Sequence, residues 1–241
     1  MKIKILGTGT AVPSLTRLSS SYLVLAGGAC ILLDIGPSVV RRLLEAGCRV
    51  NDIDVIVLTH FHPDHTVDLT TFLFACNYGE AERQKPLVVV GGKGVRAFYR
   101  KLARLYPWIV PLKYEMTIKT LSKGAWKIDG SAITTVPTNH RGESIGVRIE
   151  EKGKTAVFSG DTDYSPEFVR LASRADLLVI ECSFPEYKAK GHLNLPAVLT
   201  IVKEAKPKRV IMSHLYPAWE EFNDVLPPPL LLGEDGLEIE I

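Results

Sequence analysis

The chain has 241 residues, 46% of them hydrophobic, with 29 basic against 27 acidic side chains. That is enough apolar material for one substantial core, so residues 1–241 are expected to form a single domain. A net charge of only +2 disfavours a surface that grips long nucleic acid through many phosphates, and no apolar run is long enough to span a bilayer or open as a leader.

Strands are expected near 2–6, 22–26 and 30–34, with Gly27-Gly28 as a hairpin signal. Ser38 reads as the cap of a helix running to Glu45, closed by Gly47. A strand over 54–59 leads into His60-Phe-His62-Pro-Asp64-His65, and a helix over 66–76 follows. Residues 77–129 read as an added β-α-β piece whose basic helix, around Arg96 to Arg104, presents a solvated face, with a substrate wall as the alternative. A second half begins near 130, with strands over 131–137, 145–150 and 154–159, the last two joined across Lys152-Gly153. Ser165-Pro166 opens a helix, a strand spans 176–182, and Asn194 with Pro196 opens another helix. A strand over 208–213, the stiff connector Pro227-Pro-Pro229 and an edge strand over 236–241 complete the chain.

The cluster at 60–65 carries the chemistry. Imidazole and carboxylate together suit a divalent metal of borderline softness, and this donor density in one loop can serve two ions. Three further histidines exist, at 140, 192 and 214. His140 ends the run Ile133–Asn139, His214 ends Arg209–Ser213, and Asp161 ends Thr155–Gly160. Metal-competent side chains placed at successive strand ends are the pattern of residues converging on one rim of a sheet. Cys30, Cys48, Cys76 and Cys182 form no C-x-x-C pair, so four buried reduced thiols and a cytoplasmic location are the economical expectation.

This order of motifs resembles the metallo-β-lactamase fold superfamily, and within it ribonuclease Z and related phosphodiesterases. The resemblance extends to Leu6-Gly-Thr-Gly-Thr-Ala-Val-Pro13, Arg17, Ser20-Ser21, Leu33-Asp34-Ile-Gly36 and Gly146-Val-Arg148. It implies an α/β four-layer αββα sandwich. By position it implies that His60, His62 and His140 bind one metal, that Asp64, His65 and His214 bind a second, and that Asp161 bridges them. It also implies zinc as the metal, although histidine and carboxylate admit manganese or iron. A histidine placed like His192 serves as proton donor to the leaving group in those relatives, with Glu181 positioned to orient it. Asp64 would both ligate and orient the nucleophile, Thr59 and Ser213 would support neighbouring ligands, and Tyr216 would touch substrate. Homodimers are common in the group, though no stretch here marks an interface.

Two close divalent ions sharing a hydroxide can attack a phosphodiester near neutral pH. The long arm that grips transfer RNA in ribonuclease Z lies between the third histidine and the bridging aspartate. Here His140 and Asp161 leave room only for a hairpin. The expectation is therefore a dinuclear phosphodiesterase acting on a small or short phosphodiester. A lactonase or thioester hydrolase with the same metals is the alternative, and a non-catalytic metal-binding protein ranks third.

Overall fold

The computed structural model describes residues 1–79 and 81–241. In the first half, β1 (Lys2–Gly7), β2 (Ser21–Ala26) and β3 (Ala29–Leu33) make an antiparallel meander. The chain then winds through α1 (Val39–Glu45), β4 (Val55–Leu58), α2 (Pro63–Thr66), α3 (Leu69–Tyr78), β5 (Leu87–Gly91), α4 (Val95–Leu105) and β6 (Met116–Thr120). Strands β3 to β6 pair in parallel. The second half repeats the scheme. An antiparallel run of β7 (Gly124–Ile128), β8 (Ser131–Pro137), β9 (Ile145–Glu151) and β10 (Lys154–Phe158) precedes α5 (Pro166–Ala172), β11 (Leu177–Glu181), α6 (Leu195–Ala205), β12 (Val210–Ser213) and β13 (Leu230–Leu232). Strands β10 to β13 are parallel, and β14 (Glu238–Glu240) returns to the first sheet beside β1.

The two seven-stranded sheets run β14-β1-β2-β3-β4-β5-β6 and β13-β12-β11-β10-β9-β8-β7. Side chains alternate between sheet faces with period two, and here both faces are apolar. Ile31, Leu33, Val55 and Val57 meet Ala156, Phe158, Leu177 and Val179 between the sheets. Their neighbours Leu32, Ile56 and Leu58 pack under α1, α3 and α4, while Val157, Leu178 and Ile180 pack under α5 and α6. This is the four-layer αββα sandwich expected from the sequence. The His140-to-Asp161 interval is the expected β9–β10 hairpin, turning at Lys152 and Gly153, both at positive φ.

Four local expectations are corrected. The helix expected over 66–76 is broken into α2 and α3, because the Asp68 amide donates to Ile35 O at 3.0 Å instead of continuing the helical ladder. Ser38 sits at φ 69 and caps nothing with its side chain, and Asp68 Oδ2 accepts the Val40 amide at 3.2 Å instead. The second sheet starts at Gly124 rather than near 130, since β7 is an edge strand with alternating partial exposure and no continuous apolar run. Strand β13 was not expected, its three leucines following a proline-rich connector. All four cysteines are buried free thiols. No helix among the described residues is long and apolar enough to cross a membrane.

Candidate metal centre

The carboxyl ends of parallel strands are where a mixed α/β sheet exposes its loops, and here both sheets direct them to one rim. His60, His62, Asp64 and His65 follow β4, and Asp161 follows β10. His214 follows β12, Glu181 ends β11, and Asp34 follows β3. His140 arrives from the β8 end, where the Ile145 amide donates to Thr59 O at 2.9 Å and ties the two sheets together. The approach is too close for ordinary side chains at two points. A Cβ on Gly36 would lie 1.8 Å from Asp64 O, and Gly160, at φ +56, would meet Thr59 at 2.7 Å.

Potential ligand atoms of His60, His62, His140 and Asp161 lie within 4.8 Å of one another, and so do those of Asp64, His65 and His214. Asp161 stands between the groups. Its Oδ2 is 3.5 Å from His60 Nε2, 3.8 Å from His140 Nε2 and 3.3 Å from His214 Nε2, while its Oδ1 is 3.4 Å from His65 Nε2. Asp64 Oδ2 lies 3.5 Å from both His65 Nε2 and His214 Nε2. His62 Nδ1 and His140 Nε2 face each other at 3.3 Å.

Proton placement on the rings decides whether these donors are free. His65 Nδ1 donates to Asp34 Oδ2 at 2.7 Å, and His140 Nδ1 donates to Gly191 O at 2.9 Å. Thr59 Oγ1 donates to Asp34 Oδ2 at 2.7 Å, so its remaining contact, 3.2 Å from His60 Nδ1, has the imidazole as donor. Ser183 Oγ donates to Glu181 Oε2, so His214 Nδ1 in turn donates to Ser183 at 3.2 Å. These four rings thus spend their Nδ1 protons outward and turn Nε2 inward, the orientation a metal needs. The Nε2 atoms of His60, His65 and His214 and Oδ1 of Asp161 are buried without any hydrogen-bond partner. Buried polar atoms are rarely left so, and ions held by the two groups would satisfy all four.

Electrostatics agree with that donor set. Burial pushes His60, His62 and His140 below the usual imidazole value, which keeps them neutral. Burial also opposes ionisation of Asp64 and Asp161, but the surrounding histidines overcome it and hold both carboxyls below the ordinary carboxylate range. His65 is the exception. Burial disfavours its charge, yet Asp161 and Asp34 raise it well above the usual value.

His192 reaches the same cluster, with Nδ1 4.0 Å from Asp161 Oδ2. Its Nδ1 donates to Glu181 Oε1 at 3.1 Å, and although burial disfavours the imidazolium, Glu181 raises its pKa. Glu181 is fixed in turn by the amides of Thr162, at 2.6 Å, and Leu193, at 3.1 Å. Beside the cluster opens a cavity of about 440 Å³ lined by His62, Asn139, His140, Arg141, Asp163 and Lys190. Tyr216 stacks on Phe184 with ring centroids 4.5 Å apart, and its ring lies 5.9 Å from that of His214.

The supporting hydroxyls divide unequally. Thr59 contacts His60 as expected, whereas Ser213 accepts from Tyr22 at 2.7 Å and leaves His214 to Ser183. The sequence reading assigned no role to Ser183 or Asp34. Asp34 had one available signal, a carboxylate just past an apolar run in the motif Leu33-Asp34-Ile-Gly36. Ser183 had none.

A family model described as anti-Pycsar protein Apyc1 matches residues 1–226. A ribonuclease Z from Mycobacterium marinum is 30% identical over 245 residues, spanning 90% of this chain and 87% of the relative. Among solved structures, the short form of human tRNase Z superposes with a TM-score of 0.84 at 23% identity, covering 100% of this chain and 99% of the other. The metallo-β-lactamase fold protein YhfI of Bacillus subtilis gives 0.83 at 23% identity, covering 99% and 98%.

Proposed function

The chain belongs to the family of the anti-Pycsar protein Apyc1, with ribonuclease Z among its relatives, and from that membership we propose that it is a dinuclear metal-dependent phosphodiesterase. The observation that carries the proposal is Asp161, whose two oxygens lie 3.3–3.8 Å from nitrogens of both histidine groups. One carboxylate shared in this way is the arrangement expected of a bridging ligand.

In this reading His60, His62 and His140 would hold one divalent ion, Asp64, His65 and His214 would hold a second, and Asp161 would serve both, with zinc preferred. When bound, such a pair polarises a phosphoryl oxygen and lowers the pKa of a water enough for nucleophilic attack near neutral pH. The chain's own groups do the rest. Asp64 ligates and orients the attacking oxygen. Asp34 and Ser183 fix ring direction through Nδ1. His192, aimed by Glu181, which raises its pKa, delivers a proton to the leaving oxygen. Tyr216 contacts the substrate. A small phosphodiester, cyclic or linear, suits the short β9–β10 hairpin, which leaves no arm for transfer RNA.

The test is turnover of bis(p-nitrophenyl) phosphate by protein of measured metal content, with Asp161→Ala alongside. Turnover that tracks two metals per chain and disappears in the variant is the expected result. Full occupancy without turnover would move the reaction to lactones and thioesters. Retention of both metals by Asp161→Ala would overturn the ligand assignment.

A further inference from the structure

Residues 93–128 hold nine lysines and arginines against a single acid, Glu115. That is a net +8 within a chain whose total is +2, which leaves −6 for the remainder. The overall charge therefore conceals a strong segregation, and α4 is its centre.

Arg96, Arg100, Lys101 and Arg104 are all exposed on α4, and Lys93 is exposed just before it. None of the five has an acidic partner among the described residues, whereas on α1 both Arg41 and Arg42 pair with Glu45, at 2.8 and 2.5 Å. Arg96, Arg100 and Arg104 recur at four-residue spacing, so like charges stand one above another about 6 Å apart along the helix. Such pairs destabilise a helix, and Arg96 in the first turn also opposes the helix dipole. The apolar face of α4 accounts for its packing but not for this uncompensated stripe.

Between α4 and β6 lies a groove of about 350 Å³ lined by Arg96, Tyr99, Arg100, Met116 and Ile118. Arg96 and Arg100 on the wall of this groove, with the Tyr99 ring beside them and Lys93, Lys101 and Arg104 exposed nearby on and before α4, suit a flexible phosphate backbone with bases able to stack. The helix is also fixed to the metal centre. Phe98 stacks on Phe61, the residue between His60 and His62, with centroids 4.6 Å apart and planes inclined by 9°.

We propose that the α4–β6 groove is a second, non-catalytic binding site for single-stranded nucleic acid. It stands on charge and shape alone and does not depend on the hydrolytic reading. The cations recognise the backbone without regard to sequence, and Tyr99 offers a face to a base.

Fluorescence anisotropy with a labelled oligodeoxythymidine of about 20 nucleotides, longer than the ~4–16 a single groove covers, tests this. Between about 50 and 200 mM salt, five phosphate contacts predict a log–log slope of about −3.5. The triple variant Arg96→Ala/Arg100→Ala/Arg104→Ala keeps good helix formers, and its thermal melt serves as the folding control. Its slope should flatten to about −1.4, with affinity reduced at least tenfold at the lower salt. Absence of binding by the wild type at low salt, or equal binding by a folded variant, would overturn the proposal. Exposed Leu105, Trp108 and Leu112 lie just beyond the helix, so vesicles containing phosphatidylserine form a second arm. Charge-dependent vesicle binding without oligonucleotide binding would likewise overturn it.

Discussion

Asp34 holds two parts of the centre at once, accepting the Thr59 amide and hydroxyl and the His65 Nδ1 proton, each at 2.7 Å. Carboxylates in this position set ring orientation, and their loss typically weakens metal binding ~10–100-fold. Asp34→Asn should therefore lower metal affinity by that factor in a chelator competition while leaving the protein folded. The buried imidazoles make a pH prediction for the metal-free protein. His60, His62 and His140 are held below the ordinary value of 6.5, so near that pH the unfolded chain binds more protons than the folded one. Stability from these three is present above about pH 6.5 and is lost as pH falls through that value toward their lowered folded pKa values. His65 and His192, whose values are raised, act in the opposite direction, so urea melts of the chelated protein between neutral and mildly acidic pH should show the smaller net loss from three lowered against two raised imidazoles. Protons and metal compete for the same nitrogens, so metal occupancy should fall over the same interval. His192→Ala should slow esters with poor leaving groups by ~10²–10⁴ and spare p-nitrophenolate, which needs little protonation. Equal loss on both substrates would remove the proton-donor role.

Helix α6 begins three residues beyond His192, and its start is fixed by Asn194. That side chain accepts the Ala197 amide at 3.2 Å and donates to Glu186 O at 2.8 Å. Loss of such a cap costs ~1 kcal/mol, so Asn194→Ala should lower the unfolding free energy by about that amount in a denaturant melt. At this scale the sequence was readable where the signal was local. Pro166 after Ser165 and Pro196 after Asn194 mark the starts of α5 and α6, and both capping side chains accept amide protons in the structure. The break between α2 and α3 was not readable, because the acceptor that ends the ladder is Ile35 O, 33 residues away. Ser38 misled for the same reason, since the cap of α1 comes from Asp68.

Across the whole molecule, the layer between the sheets links core packing to the rim. Phe158 is 1% exposed and packs on Tyr22 at 5.2 Å, and Tyr22 donates to Ser213, the residue before His214. Phe158→Ala should cost ~3–5 kcal/mol, the range for deleting a buried aromatic side chain. A midpoint unchanged in denaturant would show that the sheets close over the gap. Chelation should also lower the thermal midpoint, because a ligand that binds only the folded chain stabilises it by mass action.

The sequence by itself determined the chemical kind of the site, and its resemblance to the metallo-β-lactamase fold superfamily implied the αββα architecture. Short apolar strands that end in histidine or aspartate announce a shared rim, and the order of those motifs carries the resemblance. Each motif lies within a few residues along the chain. Tertiary structure alone decided that Ser183 rather than Ser213 holds His214 and that Asp34 holds His65. These depend on distances between strands far apart in sequence, and composition averages such distances away.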